Sequence, residues 1–140
     1  MFFISTLIDR IEKRGVPIRH LIKFGLIGTS GIFVNMGLFF FFNQIGLYYT
    51  ISSIIAIEVS IISNFFLNYF WTWRDKKDSN RFYIRFFRFY LIALLAGIIN
   101  YSVLVFLVSS LEFNKYLSNL IGIGFGFIIN FSLNHFWNFR

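Results

Sequence analysis

Apolar residues dominate four stretches of the chain, roughly 21–43, 49–71, 86–109 and 115–137. Each holds about 20 residues or more, which at about 1.5 Å per residue crosses a hydrocarbon core of about 30 Å. None alternates with a period of two, and a helix satisfies its own backbone polar groups, so membrane-spanning helices are predicted rather than barrel strands. The connections at 44–48 (QIGLY) and 110–114 (SLEFN) are short, which makes a tight hairpin of helices one and two and another of helices three and four. Upstream, Phe3, Ile4, Leu7, Ile8 and Ile11 share one helical face, and Asp9, Arg10, Glu12, Lys13 and Arg14 share the other. That is the pattern of a short helix lying in the headgroup region. It differs from a signal peptide because its apolar run precedes its charges and no small-residue cleavage site follows. Gly15 and Pro17 end it. The fold class is therefore an all-α membrane protein: four transmembrane helices as two parallel-repeat hairpins, preceded by an amphipathic interfacial helix.

The hairpin is written twice. Residues 52–74, SSIIAIEVSIISNFFLNYFWTWR, align at constant offset with residues 118–140, SNLIGIGFGFIINFSLNHFWNFR. The end of the match is identical at Asn64/Asn130, Phe65/Phe131, Leu67/Leu133, Asn68/Asn134, Phe70/Phe136, Trp71/Trp137 and Arg74/Arg140. Upstream, every fourth residue corresponds. Ser52, Ala56, Ser60, Asn64 and Asn68 form one column, and Ser118, Gly122, Gly126, Asn130 and Asn134 form the other. Steps of four stay on one side of a helix, drifting by about 40° each. Each copy is thus a helix with a groove of small side chains that ends in two amides, an aromatic and an arginine. The preceding helices repeat too, Lys23-Phe24 with Arg88-Phe89, Leu26-Ile27 with Leu91-Ile92, and Asn35 with Asn100. The organisation is an interfacial segment at 1–18 and one transmembrane domain at 19–140. That domain holds repeat 1 (about 19–74) and repeat 2 (about 84–140), joined by the linker 75–83 (DKKDSNRFY). Parallel repeats of this kind are a transporter design with sites at the repeat interface.

Composition and charge sharpen the membrane reading. The chain is 57% hydrophobic and only 14% charged, against about 45–50% and 25% in soluble domains, so its surplus apolar surface requires lipid. Cysteine is absent, which excludes disulfides and thiolate metal sites. A formal charge of +7 is compatible with nucleic acid, but the cations gather at the ends of the apolar segments, where a membrane surface accounts for them. Of the 13 Lys and Arg residues, only Lys115 lies on the side opposite the others. The positive-inside rule makes that crowded side cytoplasmic, with both termini inside.

Several residues are candidates for function. Glu58 is the one acid within a predicted span, near mid-membrane, where an ionised carboxylate is costly and a functional role is the default. The structural alternative is a protonated or amide-paired side chain. Asn35, Asn64, Asn68, Asn100, Asn130 and Asn134 form a polar seam that could meet sugar hydroxyls or phosphate oxygens; interhelical hydrogen bonding is the bland alternative. Asn35 and Asn100 lie deeper, whereas Asn68 and Asn134 are placed to cap helix ends. Lys23 and Arg88 start helices one and three, and Arg74 and Arg140 end helices two and four. Four such cations around a mouth suit a phosphate, while snorkelling anchors are the alternative for each alone. Trp71, Trp73 and Trp137 sit at one boundary as an aromatic belt, with stacking on a sugar ring the weaker possibility. Gly122, Gly124 and Gly126, with Ala56 and Ser60, let helices two and four approach closely, and Gly25, Gly28 and Gly31 do the same in helix one. No phosphate-binding GKS/T loop, HExxH or GxSxG motif occurs, His20 and His135 lack metal-ligand spacing, and no nucleophile–base–orienter set can be assembled. The chain reads as a non-enzyme without cofactor or metal.

The KFGLIGTSGIFVN start of helix one and the doubled NFxLNxFWxxR ends resemble the GtrA-like family of small four-helix membrane proteins. The resemblance covers roughly residues 19–140. It implies a part in cell-surface polysaccharide synthesis or teichoic acid glycosylation: flipping a polyprenyl-phosphate-linked monosaccharide across the cytoplasmic membrane to serve a partner membrane glycosyltransferase. Family positions that are usually basic or polar match here at Lys23, Asn35, Asn64, Asn68, Arg74, Arg88, Asn100, Asn130 and Asn134. Trp73 departs from a more usual Phe. Two other functions stand beside this one. The first is a non-transporting adaptor that recruits a glycosyltransferase. The second is a small proton-coupled multidrug exporter working through Glu58, which the cationic mouth disfavours. Four helices are thin for a closed pathway, so a homo-oligomer is expected.

Overall fold

The computed structural model describes residues 17–140, and the interfacial segment read from the sequence falls almost wholly outside them. Helix α1 spans Ile18–Gln44 and α2 spans Tyr49–Leu67, which runs on into a π turn at Asn68–Thr72. Short 3₁₀ turns at Arg74–Lys76 and Ser79–Arg81 follow. Helix α3 spans Phe82–Leu111 and α4 spans Lys115–Leu133, with a second π turn at Asn134–Asn138. The chain divides between Lys77 and Asp78 into two compact units, each one hairpin. The linker region is thus partly ordered. Asp78 accepts a hydrogen bond from the Asn80 backbone N–H at 3.0 Å, and α3 begins four residues before its expected start, with Arg85 on its buried face.

Four of these helices, among the described residues, are long and apolar enough to cross a membrane, at 27, 24, 33 and 24 residues with their terminal turns. Between 11% and 22% of each apolar window is buried within the protein. Much of the remainder faces outward, including Phe33, Phe40, Ile98 and Phe106, each more than half exposed. Such a surface is tolerated only against lipid. The tight connections have local causes. Gly46 takes φ 86°, open to glycine without strain, between α1 and α2. Asn114 caps α4 by accepting from the Tyr116 and Leu117 backbone N–H groups at 2.9 and 3.3 Å.

Inside each hairpin the packing follows the column of small residues. In the first, Phe24, Ile27 and Gly31 of α1 and Ser52, Ala56 and Ser60 of α2 are all buried. The Ser60 hydroxyl donates to the Gly31 carbonyl at 2.8 Å. In the second, Phe89, Ile92 and Ala96 of α3 and Ser118, Gly122 and Gly126 of α4 are buried. The repeat exchanges which helix carries the bulk: Ser60 lies over Gly31 in one copy, and Gly126 lies against Ala96 in the other. A Cβ on Gly126 would stand 2.9 Å from the Ala96 carbonyl oxygen, and one on Gly122 would stand 2.6 Å from that of Asn100. The small residues therefore bring α2 against α1 and α4 against α3, which gives the expected close approach its partners. Gly28 and Gly124 have open space where a Cβ would be, so neither serves close packing.

Gly122→Val is accordingly expected to lower unfolding stability by about 1–3 kcal/mol through overpacking against backbone. Gly124→Val, two residues away, should change it by less than about 1 kcal/mol. Unfolding in mixed detergent micelles, followed by circular dichroism, measures both.

Candidate functional site

The charged end of each hairpin is built by the π turn. Trp73 N–H donates to the Asn68 carbonyl at 2.9 Å, and Phe139 N–H donates to that of Asn134 at 2.9 Å, each a five-residue return. The wider turn puts Asn68, Tyr69, Thr72 and Trp73 together on the buried side. π turns of this kind recur at functional sites. A ladder of side chains secures it. Asn68 donates through Nδ2 to the Asn64 carbonyl at 2.8 Å, and its Oδ1 accepts from the Thr72 hydroxyl at 2.8 Å. In the second hairpin Asn134 donates through Nδ2 to both the carbonyl and Oδ1 of Asn130, and Asn138 donates to Oδ1 of Asn134 at 3.0 Å. Asn138 also donates to the Arg85 carbonyl at 3.1 Å, which ties the turn to α3.

These contacts refine one placement and revise another. Asn68 and Asn134 stand at the C-caps of α2 and α4, as expected, but at 1% and 0% exposed they are also internal ladder rungs. Trp73 is likewise fully buried, 5.5 Å from the Phe24 ring, and its counterpart Phe139 is equally enclosed. It belongs to the core and not to an aromatic belt, because the five-residue step turns it inward. Trp71 and Trp137 remain at the surface, 46% and 49% exposed. Thr72 and Asn138 escaped the sequence reading, although both continue the four-residue column by one step. The seam residues Asn35, Glu58, Asn64, Asn100 and Asn130 are half-buried. Among the described residues, Oδ1 of Asn64 and Oδ1 of Asn100 are enclosed and accept no hydrogen bond.

On the ladder rest two matched cations. The Lys23 ammonium lies 5.6 Å from the centre of the Trp71 ring, and the Arg88 guanidinium lies 4.7 Å from that of Trp137. Each pair holds a positive charge on an indole face, an attraction of about 0.5–1 kcal/mol where exposed. In the first hairpin, Arg19, His20, Lys23, Trp71, Arg74 and Asp75, together with Thr72, line an open depression of about 600 Å³. Nε2 of His20 lies 3.3 Å from the Asp75 carboxylate, and its ring stacks on Trp73. Lys23 and Arg74, singled out in the sequence, are brought together here. Arg19, His20 and Asp75 were missed, since each looks in sequence like one more charge beside a membrane. The depression can hold an anion of phosphate or sugar-phosphate size, because three fixed cations face one carboxylate.

A duplicated hairpin with apolar spans and a basic, tryptophan-backed end defines a multi-pass helical membrane protein. The chain belongs to the GtrA/DPMS transmembrane-domain family, whose model matches residues 23–139, in agreement with the resemblance read from its repeated motifs. A dolichol-phosphate mannosyltransferase of Pyrococcus furiosus is 32% identical to it over 127 residues, 91% of this chain and 36% of that protein. The chain thus spans about a third of the length of the curated relative it matches.

The ladder and the cations should separate cleanly in stability measurements. Asn134→Leu removes one of the two acceptors of the Asn138 amide and the donor to Asn130, and is expected to cost about 1–3 kcal/mol. Lys23→Ala and Arg88→Ala remove surface cation–π contacts and should each cost less than about 1 kcal/mol. Equilibrium unfolding of the three variants in the same micelles reads the difference.

Proposed function

We propose that the protein binds a polyprenyl-phosphate-linked monosaccharide at its basic end and moves it across the cytoplasmic membrane for cell-surface glycosylation. One observation carries this reading: a cation poised on a tryptophan face at the equivalent place in both hairpins, Lys23 on Trp71 and Arg88 on Trp137. The indole screens one side of the charge and leaves the other to a phosphate. By the positive-inside rule the basic end and both termini are cytoplasmic. Arg74 beside Lys23 adds a second donor for the phosphate. Sugar hydroxyls then meet the amides of each hairpin, where the enclosed Oδ1 atoms of Asn64 in one and Asn100 in the other lack donors, and Asn35, Glu58 and Asn130 are half-buried. Asn68 and Asn134 keep the π turns in shape beneath. The chain itself carries out no bond chemistry in this scheme, and a membrane glycosyltransferase uses the delivered lipid.

A second reading, a non-transporting adaptor for a glycosyltransferase, is favoured by one finding. The relative is named as a mannosyltransferase, and this chain corresponds to 36% of it. The exporter reading gains nothing from the depression, whose three cations would repel an organic cation.

Proteoliposomes loaded on one face with a short-chain polyprenyl-phosphate hexose distinguish the two. Wild-type protein is expected to bring the lipid to the opposite face, and Lys23→Ala with Arg88→Ala to slow that movement about tenfold or more. No protein-dependent movement, combined with loss of glycosyl transfer by a co-reconstituted enzyme when the chain is omitted, would establish the adaptor instead.

A further inference from the structure

Because the hairpins are copies, each is a reference for the other. The repeat-2 counterparts of Arg19, His20 and Lys23 are Ile84, Arg85 and Arg88, and that of Arg74 is Arg140. Two of these exchanges change the chemistry. Arg19, an exposed cation lining the depression, becomes Ile84, an exposed apolar side chain. His20, which stands beside Asp75 with 21% of its side chain exposed, becomes Arg85, which is only 5% exposed. The Arg85 guanidinium lies 5.4 Å from the centre of the buried Phe139 ring, and its carbonyl takes the Asn138 amide. In repeat 2, therefore, the cation at this position is drawn into the packing. In repeat 1 the same position stays at the surface of an open, cation-lined depression.

We propose that the depression of repeat 1 is the main phosphate-docking site, with Arg19, Lys23 and Arg74 supplying the charge, whereas repeat 2 keeps Arg88 on Trp137 as an accessory contact and commits Arg85 to holding its hairpin together. Among the described lining residues the one carboxylate, Asp75, opposes an anion, and its contact with His20 turns it toward the imidazole rather than toward the ligand. Arginine suits this role because its planar fork matches two phosphate oxygens at once and never loses its charge. That the phosphate belongs to a polyprenyl lipid rests on the function proposed above; that this depression takes a phosphate does not.

The test is a titration of farnesyl phosphate into the full chain in nanodiscs of neutral phosphatidylcholine. Binding is read from Trp71 fluorescence after Trp73→Phe and Trp137→Phe, the first of which copies the residue repeat 2 already has. A saturable change is expected with farnesyl phosphate and none with farnesol. Arg74→Gln and Arg19→Gln should each raise Kd about tenfold or more, the loss expected for a charge-assisted contact, and Arg74→Lys should restore part of it. Arg140→Gln should raise Kd less than threefold. Asp75→Asn should tighten binding severalfold by removing a like charge. Equal weakening by Arg74→Gln and Arg140→Gln would overturn the division between repeats and leave the polyprenyl-phosphate function standing. Discs containing phosphatidylglycerol supply the other arm. An Arg74-dependent response to that lipid, with none to farnesyl phosphate, would uphold the phosphate site and remove the polyprenyl ligand. No response of Trp71 to either lipid would overturn the site.

Discussion

In lipid, two apolar helices gain little by touching, so they stay paired only where their backbones come near enough for close van der Waals and polar contact. The column of small residues along α2 and α4 meets that condition, through Ser60 on the Gly31 carbonyl and through Gly122 and Gly126 against the α3 backbone. The same column, continued by steps of four, becomes Asn64, Asn68 and Thr72 in one hairpin and Asn130, Asn134 and Asn138 in the other. Packing and polar ladder are thus one line of residues. The ladder shapes the π turn, and the π turn sets Trp71 and Trp137 under their cations while folding Trp73 and Phe139 inward. Loosening the column would disorganise the charged end without any change to its own residues.

Much of this was legible in the sequence because membranes impose few solutions. Span length, short connections and the doubled NFxLNxFWxxR set the four helices and their pairing, and the four-residue periodicity marked the buried face. The π turns were not legible. Their signature is a five-residue backbone return, and a rule based on steps of four cannot anticipate one. For that reason Trp73 was placed at the surface and Thr72 and Asn138 were passed over. The depression was hidden for a different reason. His20 and Asp75 lie 55 positions apart, and near a membrane edge any basic residue, Arg19 included, already has an explanation in the positive-inside rule.

The differences between the copies are informative in the same physical terms. Duplication supplies two equivalent surfaces, and a site needs only one to stay open. In repeat 2 the position matching His20 is an arginine laid over Phe139 and bound at its carbonyl by Asn138, so the charge works inside the packing. In repeat 1 the equivalent side chain faces a depression that already holds Lys23 and Arg74. Glu58, whose counterpart is Gly124, extends the asymmetry into the membrane interior.

The most direct measurement is mass spectrometry of the lipid that copurifies with the protein in mild detergent, wild type beside the Lys23→Ala, Arg88→Ala double variant. Retention of a polyprenyl-phosphate hexose by the wild type, and its loss from an equally stable variant, is the expected result. Bulk phospholipid alone in both preparations, from cells shown to contain the polyprenyl-phosphate hexose, would contradict binding of that lipid at the basic end.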